Sequence, residues 1–330
     1  MISLAKKLKH LSAKYLLLRR LRRENAVALA QTALTALLWG TSFPVIGYAI
    51  RLGLDPRVFV FLRFGVAAPI MAAAALAMGK GLGGVLRMKP VWVLGLLNAV
   101  GFVCQFVGQA YTDASVAALL VNLSILVAAA GSAVFLGERF GGAKVAGVLL
   151  ALAGTVLLTT KGDISLVGRG QLFGDALYLL AALTWGCYIV YNKRVTDETG
   201  WDPFAVTAAI IMLTVVFVAP ILLTGGLDFG LTTLSWEAVL YTAVMNTALP
   251  YVLYQSGLRH LTATSSAIVL MLEIVTAVLI SVAFLGETMN AFSAAGAVLV
   301  LVSIFLVSGL ELGGKSLSVA TGSGDAERLP

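Results

Sequence analysis

The sequence predicts an all-α, polytopic membrane protein of ten transmembrane helices, arranged as two inverted five-helix repeats. Three observations carry that prediction: the composition, ten apolar runs of spanning length, and short motifs that occur once in each half. Hydrophobic residues make up 59% of the 330 residues, charged residues only 12%, and mean hydropathy is +0.96. A soluble domain carries about 25% charged residues. This chain lacks the polar groups to cover a water-facing surface, so lipid is its solvent.

The first element, residues 1–25, sets Leu4, Leu8, Leu11, Leu18 and Leu21 among Lys and Arg. That spacing predicts a basic amphipathic helix lying on the cytoplasmic leaflet. A cleaved signal peptide would need an uninterrupted apolar core before a small-residue cleavage site, which the segment lacks. The first repeat, 26–160, holds spans at 26–50, 56–78, 91–111, 114–136 and 143–160. A connecting loop, 161–171, leads to the second repeat, 172–310, with spans at 172–192, 203–224, 236–258, 262–285 and 291–310. Gly, Pro and charged residues punctuate the connections. The end, 311–330, is rich in Ser, Gly and charge and is expected to be a disordered cytoplasmic tail.

Orientation follows from the positive-inside rule. With the N-terminus in the cytoplasm, eighteen Lys and Arg fall on the inside and four on the outside, and Arg63 lies within a span. An even number of spans puts both termini inside, which fits a multi-pass protein of the cell membrane. Eight of the 23 basic residues lie in the first 23 positions, so the net charge of +7 points to an anionic lipid surface rather than to nucleic acid. Cys104 and Cys187 sit in apolar runs and read as small core residues; His10 and His260 are the two histidines, and the HExxH pattern is absent. No metal, cofactor or catalytic residue is expected. The partners are a small-molecule substrate and membrane lipid.

The halves repeat. Phe135-Leu136-Gly137-Glu138 returns as Phe284-Leu285-Gly286-Glu287, and Ala114-Ser115 as Ala263-Thr264, at one offset of 149 residues. Trp39-Gly40 matches Trp185-Gly186, and Asp55-Pro56 matches Asp202-Pro203. Five spans per half is an odd number, so the second copy enters the membrane from the opposite side. Secondary transporters use such inverted repeats for alternating access.

These motifs carry a resemblance to the EamA-type permeases of the drug/metabolite transporter superfamily, over roughly residues 26–310. The shared features are Trp-Gly in the first helix of each half, a Leu-Gly-Glu end to the fourth, and a glycine early in the fifth. The resemblance implies a central cavity lined by the first four helices of each half, with the fifth and tenth outside as supports. It also implies export of metabolites, amino acids among them. Members often carry a proline midway along the fourth and ninth helices. Here Ile125 and Ile274 stand at those positions, so a bend in these helices cannot be inferred from proline.

Polar groups inside spans are the candidates for function. Glu273, about eleven residues into the ninth span, reads either as a proton-coupling site or partner for a substrate ammonium, or as a glutamic acid hydrogen-bonded to another helix. Arg63 could pair with it, hold a substrate carboxylate, or snorkel to the outer interface. Asn98, Gln105 and Gln109 share a face of the third span; Asn122 lies in the fourth, and Asn246, Tyr251, Tyr254 and Gln255 in the eighth. Each could bind a solute or join helices. Trp39, Phe43, Trp185 and Tyr188 suit cavity walls or helix packing equally. Pro44 and Pro250 could kink their spans. Glu138 and Glu287 read as structural, bonded to backbone or to a basic group.

Secondary active export of a small metabolite by alternating access is the leading expectation, with an amino acid and proton coupling as its finer form. Multidrug or organic-cation efflux is the alternative within transport, and a passive channel or membrane scaffold the alternative outside it. The chain has no P-loop, and an intramembrane enzyme would need a paired nucleophile and base or a metal.

Overall fold

The computed structural model describes residues 2–112, 114–163, 172–224, 231–284 and 288–321; of 2–18, 114–115, 118 and 314–321 it describes the backbone alone. The described elements are helical throughout. The first span belongs to α1 (Ile2–Arg51), the second is α2 (Pro56–Ala77), and a short α3 (Leu82–Leu86) precedes the third, α4 (Lys89–Gly108). The fourth is split into α5 (Ala114–Asn122) and α6 (Ser124–Phe135), and the fifth is α7 (Gly142–Thr160). The second half runs α8 (Leu172–Thr199), α9 (Pro203–Val218) with a 3₁₀ end, α10 (Thr233–Ala243), α11 (Leu249–Leu258), α12 (Ala263–Leu270), α13 (Leu272–Phe284) and α14 (Ala291–Thr321). A π turn, Val244–Ala248, joins α10 to α11 in the eighth span, and α12 with α13 makes the ninth.

Two boundaries differ from the sequence reading. The basic segment and the first span form one continuous helix. At the other end α14 is helical to Thr321, where an unstructured tail was expected from residue 311; adding a residue to an existing helix gains a hydrogen bond without a new nucleus. Residues 322–330, the motif residues Leu285, Gly286 and Glu287, and most of the 161–171 loop lie outside the described residues.

Repeat-related helices start alike. Asp55 caps α2 by accepting from the Arg57 N–H at 2.8 Å, and Asp202 caps α9 by accepting from Phe204 and Ala205 at 3.0 and 3.2 Å. Each is followed by a proline at the first helical position, where no N–H is needed.

The inversion can be read from the fifth and tenth spans. A Cβ on Gly147 would meet Val307, and one on Gly154 would lie 2.7 Å from the Gly296 carbonyl oxygen. A Cβ on Gly296 would in turn lie 2.5 Å from the Leu158 nitrogen. As numbers rise along α7 they fall along α14, so these two equivalent spans are antiparallel. Their glycines bring the backbones into contact, the means by which helices associate in lipid.

The Trp-Gly motifs lock the halves across one another. A Cβ on Gly40 would lie 2.5 Å from the Thr276 Cβ and 2.6 Å from the Glu273 carbonyl oxygen. One on Gly186 would lie 2.6 Å from the Val127 Cγ1 and 2.9 Å from the Ser124 carbonyl oxygen. Ser124 and Val127 stand 149 residues before Glu273 and Thr276, the offset of the Leu-Gly-Glu motif. Thus the first span packs on the ninth, and the sixth on the fourth.

The fourth and ninth spans break without proline. Leu123 and Leu126 donate to the carbonyls three residues back, Leu120 and Leu123, at 3.2 and 3.0 Å. Met271 and Ile274 do the same to Ile268 and Met271, at 3.1 and 3.2 Å. A 3₁₀ step of this kind interrupts an α-helix as a hinge would, and the interruption occurs here with Ile125 and Ile274 in place of prolines. The eighth span departs from α-geometry for the usual reason. Pro250 has no N–H for the Asn246 carbonyl and its ring crowds that oxygen; the backbone widens into the π turn, and the Thr247 hydroxyl donates to the Thr242 carbonyl at 3.0 Å.

Candidate functional site

A cavity of about 100 Å³ lies between the two halves. Its walls come from the first four spans of the first half and from the sixth, eighth and ninth; the seventh, fifth and tenth do not line it. The seventh is instead packed into the core: the Asn98 amide donates to the Thr214 hydroxyl at 2.9 Å, and a Cβ on Gly95 would meet Leu213. Both broken spans present their breaks to the cavity, through Val121, Asn122, Ser124 and Ile125 on one side and Leu270, Met271 and Glu273 on the other. Irregular backbone at membrane depth is tolerated where it lines such a space.

Arg63 is the largest fully buried side chain among the described residues, at 2% exposure, and it lines this cavity. Its position follows from Pro250. The Asn246 carbonyl, deprived of a helical donor, accepts from Arg63 Nη2 at 2.7 Å and from Trp39 Nε1 at 3.0 Å. Arg63 Nε donates to the Thr247 hydroxyl at 2.7 Å, and the guanidinium carbon lies 4.9 Å from the Phe102 ring centroid and 5.7 Å from that of Phe64. Arg63 therefore neither snorkels nor forms an ion pair with Glu273. A buried guanidinium is retained by its hydrogen bonds and by aromatic faces.

Glu273 stands in the first turn of α13 and lines the same cavity. Its carboxyl group has no hydrogen-bond partner among the described residues, so the reading in which another helix satisfies it is set aside. Position in the first turn of a half-helix favours negative charge, because the N–H groups there point at it.

The aromatic walls follow the repeat. Trp39 meets Tyr251 edge-on at 5.4 Å and Tyr254 at 5.9 Å. Trp185 meets Phe102 at 4.8 Å and Tyr188 at 5.7 Å, both T-shaped. Such pairs hold each ring in place. The Tyr188 hydroxyl is buried with no hydrogen-bond partner among the described residues.

Of the residues expected from sequence, Trp39, Phe43, Arg63, Gln105, Asn122, Trp185, Tyr188, Tyr254 and Glu273 line the cavity together. Asn98, Asn246, Tyr251 and Gln255 do not; each is engaged in hydrogen bonds to neighbouring spans, although the Asn246 side-chain oxygen has no partner among the described residues. Tyr251 donates to the Asn98 side-chain oxygen Oδ1 at 2.5 Å. Asn246 donates to the Thr41 hydroxyl at 2.8 Å and to the Leu38 carbonyl, and Gln255 joins Asn192 and Thr196 at 2.8 and 2.9 Å. Gln109 ends the third span outside the lining, and Pro44 lies within α1. Phe102, Ser42 and Ser124 line the cavity without having been singled out. Only Phe102 had a signal in the sequence, three residues before Gln105 on the same helical face.

Glu138 lies away from the cavity, where the fourth span ends. It accepts from the Ala263 N–H at 2.7 Å and from Lys144 at 2.8 Å, which caps the ninth span. Glu311 caps the same helix through the Thr262 N–H and hydroxyl, at 3.2 and 2.7 Å.

Residues 26–160 and 172–309 each match the model of the EamA-like transporter family. An uncharacterized transporter of Archaeoglobus fulgidus is 28% identical over 284 residues, covering 84% of this chain and 95% of that one. A probable terminal-alkyne amino-acid exporter of Streptantibioticus cattleyicolor is 26% identical over 289 residues, 85% and 93% of the two chains. A protein crystal structure superposes with a TM-score of 0.73 at 22% identity, over 87% of this chain and 98% of that one.

Proposed function

The chain belongs to the EamA-like transporter family, and we propose that it is a secondary active carrier exporting a small metabolite, an amino acid by preference, by alternating access coupled to protons. The observation that carries this reading is the cavity itself. It is enclosed by both halves, bordered by two helix breaks, and contains a carboxyl group that no group among the described residues satisfies. A site shared by inverted halves is accessible from either side if the halves rock about it. Glu273 can hold a proton or a cationic solute, but not both at once, and that exclusion couples one flux to the other. The name of the Streptantibioticus cattleyicolor relative supports an amino acid as cargo.

In this reading the protein sits in the cell membrane with both termini in the cytoplasm, as the distribution of Lys and Arg favours. Efflux of organic cations draws support from Glu273 and the aromatic walls. Arg63 in the same cavity weighs against it, because a buried like charge repels a cation.

The test is solute exchange in proteoliposomes, with labelled amino acids, with and without an imposed pH gradient. Saturable accumulation against a concentration gradient, driven by protons, is expected. Saturable exchange indifferent to pH would remove the coupling role and keep the carrier. Rapid, non-saturating equilibration would replace the carrier with a channel.

A further inference from the structure

The geometry points to a zwitterion subsite in the central cavity, in which Arg63 takes an α-carboxylate and Glu273 takes the α-ammonium of an amino acid with an apolar side chain. The inference rests on the carrier reading above and narrows its cargo.

The argument begins with two charges that do not neutralise each other. Arg63 and Glu273 line one cavity, yet no ion pair joins them. Each is incompletely satisfied. The guanidinium uses Nε on the Thr247 hydroxyl and Nη2 on the Asn246 carbonyl; Nη1 has no hydrogen-bond partner among the described residues, and neither has the Glu273 carboxyl. Charged groups out of water are costly unless partners complete their hydrogen bonds. Most buried ionisable pairs solve this by closing on one another. Here both are held apart, Arg63 by the eighth span and Glu273 by the packing of Gly40 against its backbone carbonyl.

A ligand that satisfies both must carry both charges, close together and oppositely placed. An α-amino acid has that form, with ammonium and carboxylate on one carbon. It enters without adding net charge to the cavity, so neither residue is left facing an uncompensated ion. A monovalent organic cation would satisfy Glu273 while facing Arg63, and a simple carboxylate would do the reverse. The rest of the lining offers little else that is charged. Trp39, Phe43, Phe102 and Trp185 are aromatic, and Ile46 and Ile125 aliphatic, so the side chain that fits is apolar or aromatic. Arg63 is suited to the carboxylate end, because guanidinium recognises carboxylate through parallel N–H groups and Phe102 holds its plane.

The subsite predicts discrimination by charge pattern at constant side chain. The experiment uses purified protein in nanodiscs and follows binding of three probes by tryptophan fluorescence: L-phenylalanine, its methyl ester and 3-phenylpropanoate. The zwitterion should bind at least about tenfold more tightly than either single-charge analogue, since a site built around polar partners rejects a ligand that leaves one unpaired. Glu273→Gln should erase the advantage of phenylalanine over 3-phenylpropanoate, and Arg63→Gln its advantage over the ester. Because Arg63→Gln could disturb the eighth span, Arg63→Lys serves as the second variant. It keeps the charge and should retain part of the preference. Equal binding of all three probes, or tighter binding of the ester, overturns the subsite. The carrier reading would survive either result if the ester itself exchanges in proteoliposomes. It falls separately if neither the probes nor other metabolites exchange saturably.

Discussion

Arg63 depends on hydrogen bonds from a single segment, and the consequence is measurable one residue at a time. Thr247→Val keeps the volume of the side chain and removes the hydroxyl that accepts from Arg63 Nε. A hydrogen bond to a charged, buried group contributes roughly 1.5–3 kcal/mol, and its loss leaves a donor unsatisfied. The expected result is a lower thermal midpoint in detergent, since the Asn246 backbone carbonyl that accepts from Nη2 is untouched and cannot also take the Nε proton. A midpoint unchanged by Thr247→Val would show that Arg63 finds another acceptor. Charge at the membrane surface behaves more simply. The Arg57 side chain beside Asp55 holds its carboxyl below the usual carboxylate range, against a smaller upward push from burial. A lowered pKa in the fold contributes stability that is complete above the unfolded value of 3.8 and is lost as pH falls through the folded one. The gap in midpoint between wild type and Asp55→Asn should therefore be present at neutral pH and close in acid. The same residues show what could be foreseen. Glu273 and Arg63 stand out in any apolar run, but whether Arg63 snorkels depends on a carbonyl 183 residues away, which no local pattern reports.

At the scale of the helix, the eighth span illustrates how a defect becomes a fixture. Pro250 frees one carbonyl, and two side chains from other spans compete to fill it. Pro250→Ala would return an N–H to that carbonyl and draw the π turn toward a regular helix. The expected outcome is unchanged or raised thermal stability with exchange in proteoliposomes slowed severalfold, as Trp39 and Arg63 lose a shared anchor. Unaltered exchange would show that the π turn serves folding alone. Spans were legible because each is a long apolar run bounded by Gly, Pro or charge. Breaks at Leu123 and Met271 were not, because a change from i−4 to i−3 bonding leaves no mark in composition. The same holds for Asn98 and Gln255. Periodicity places an amide on a face of its helix, but which neighbour meets that face is decided by packing, and here the neighbours are Tyr251 and Asn192.

Across the whole molecule, the Leu-Gly-Glu motif acquires a meaning that the isolated halves do not give it. Gly137 adopts a positive φ of 63° at the end of α6, a conformation that costs glycine little, and Glu138 then reaches the Ala263 N–H at the start of the ninth span. That bond ties the end of one half's fourth span to the beginning of the other's ninth. In the alternating-access reading, opening on this face would separate those two ends and break the bond in each cycle. Charge-assisted hydrogen bonds of this kind contribute about 1.5–3 kcal/mol, which corresponds to a roughly ten- to hundredfold bias toward the closed face. Glu138→Ala should shift the population toward opening there. The shift can be read by placing a cysteine at Ala267, which lines the cavity, in a background where Cys104 and Cys187 are replaced, and timing its reaction with a membrane-impermeant thiol reagent added to that face. Faster labelling in Glu138→Ala than in the parent is expected, with Glu138→Gln between the two, since the amide keeps an acceptor for Ala263 but loses the ion pair with Lys144. Equal rates in all three would mean that the two ends part without cost, and the Glu138 bond would have no part in holding that face closed.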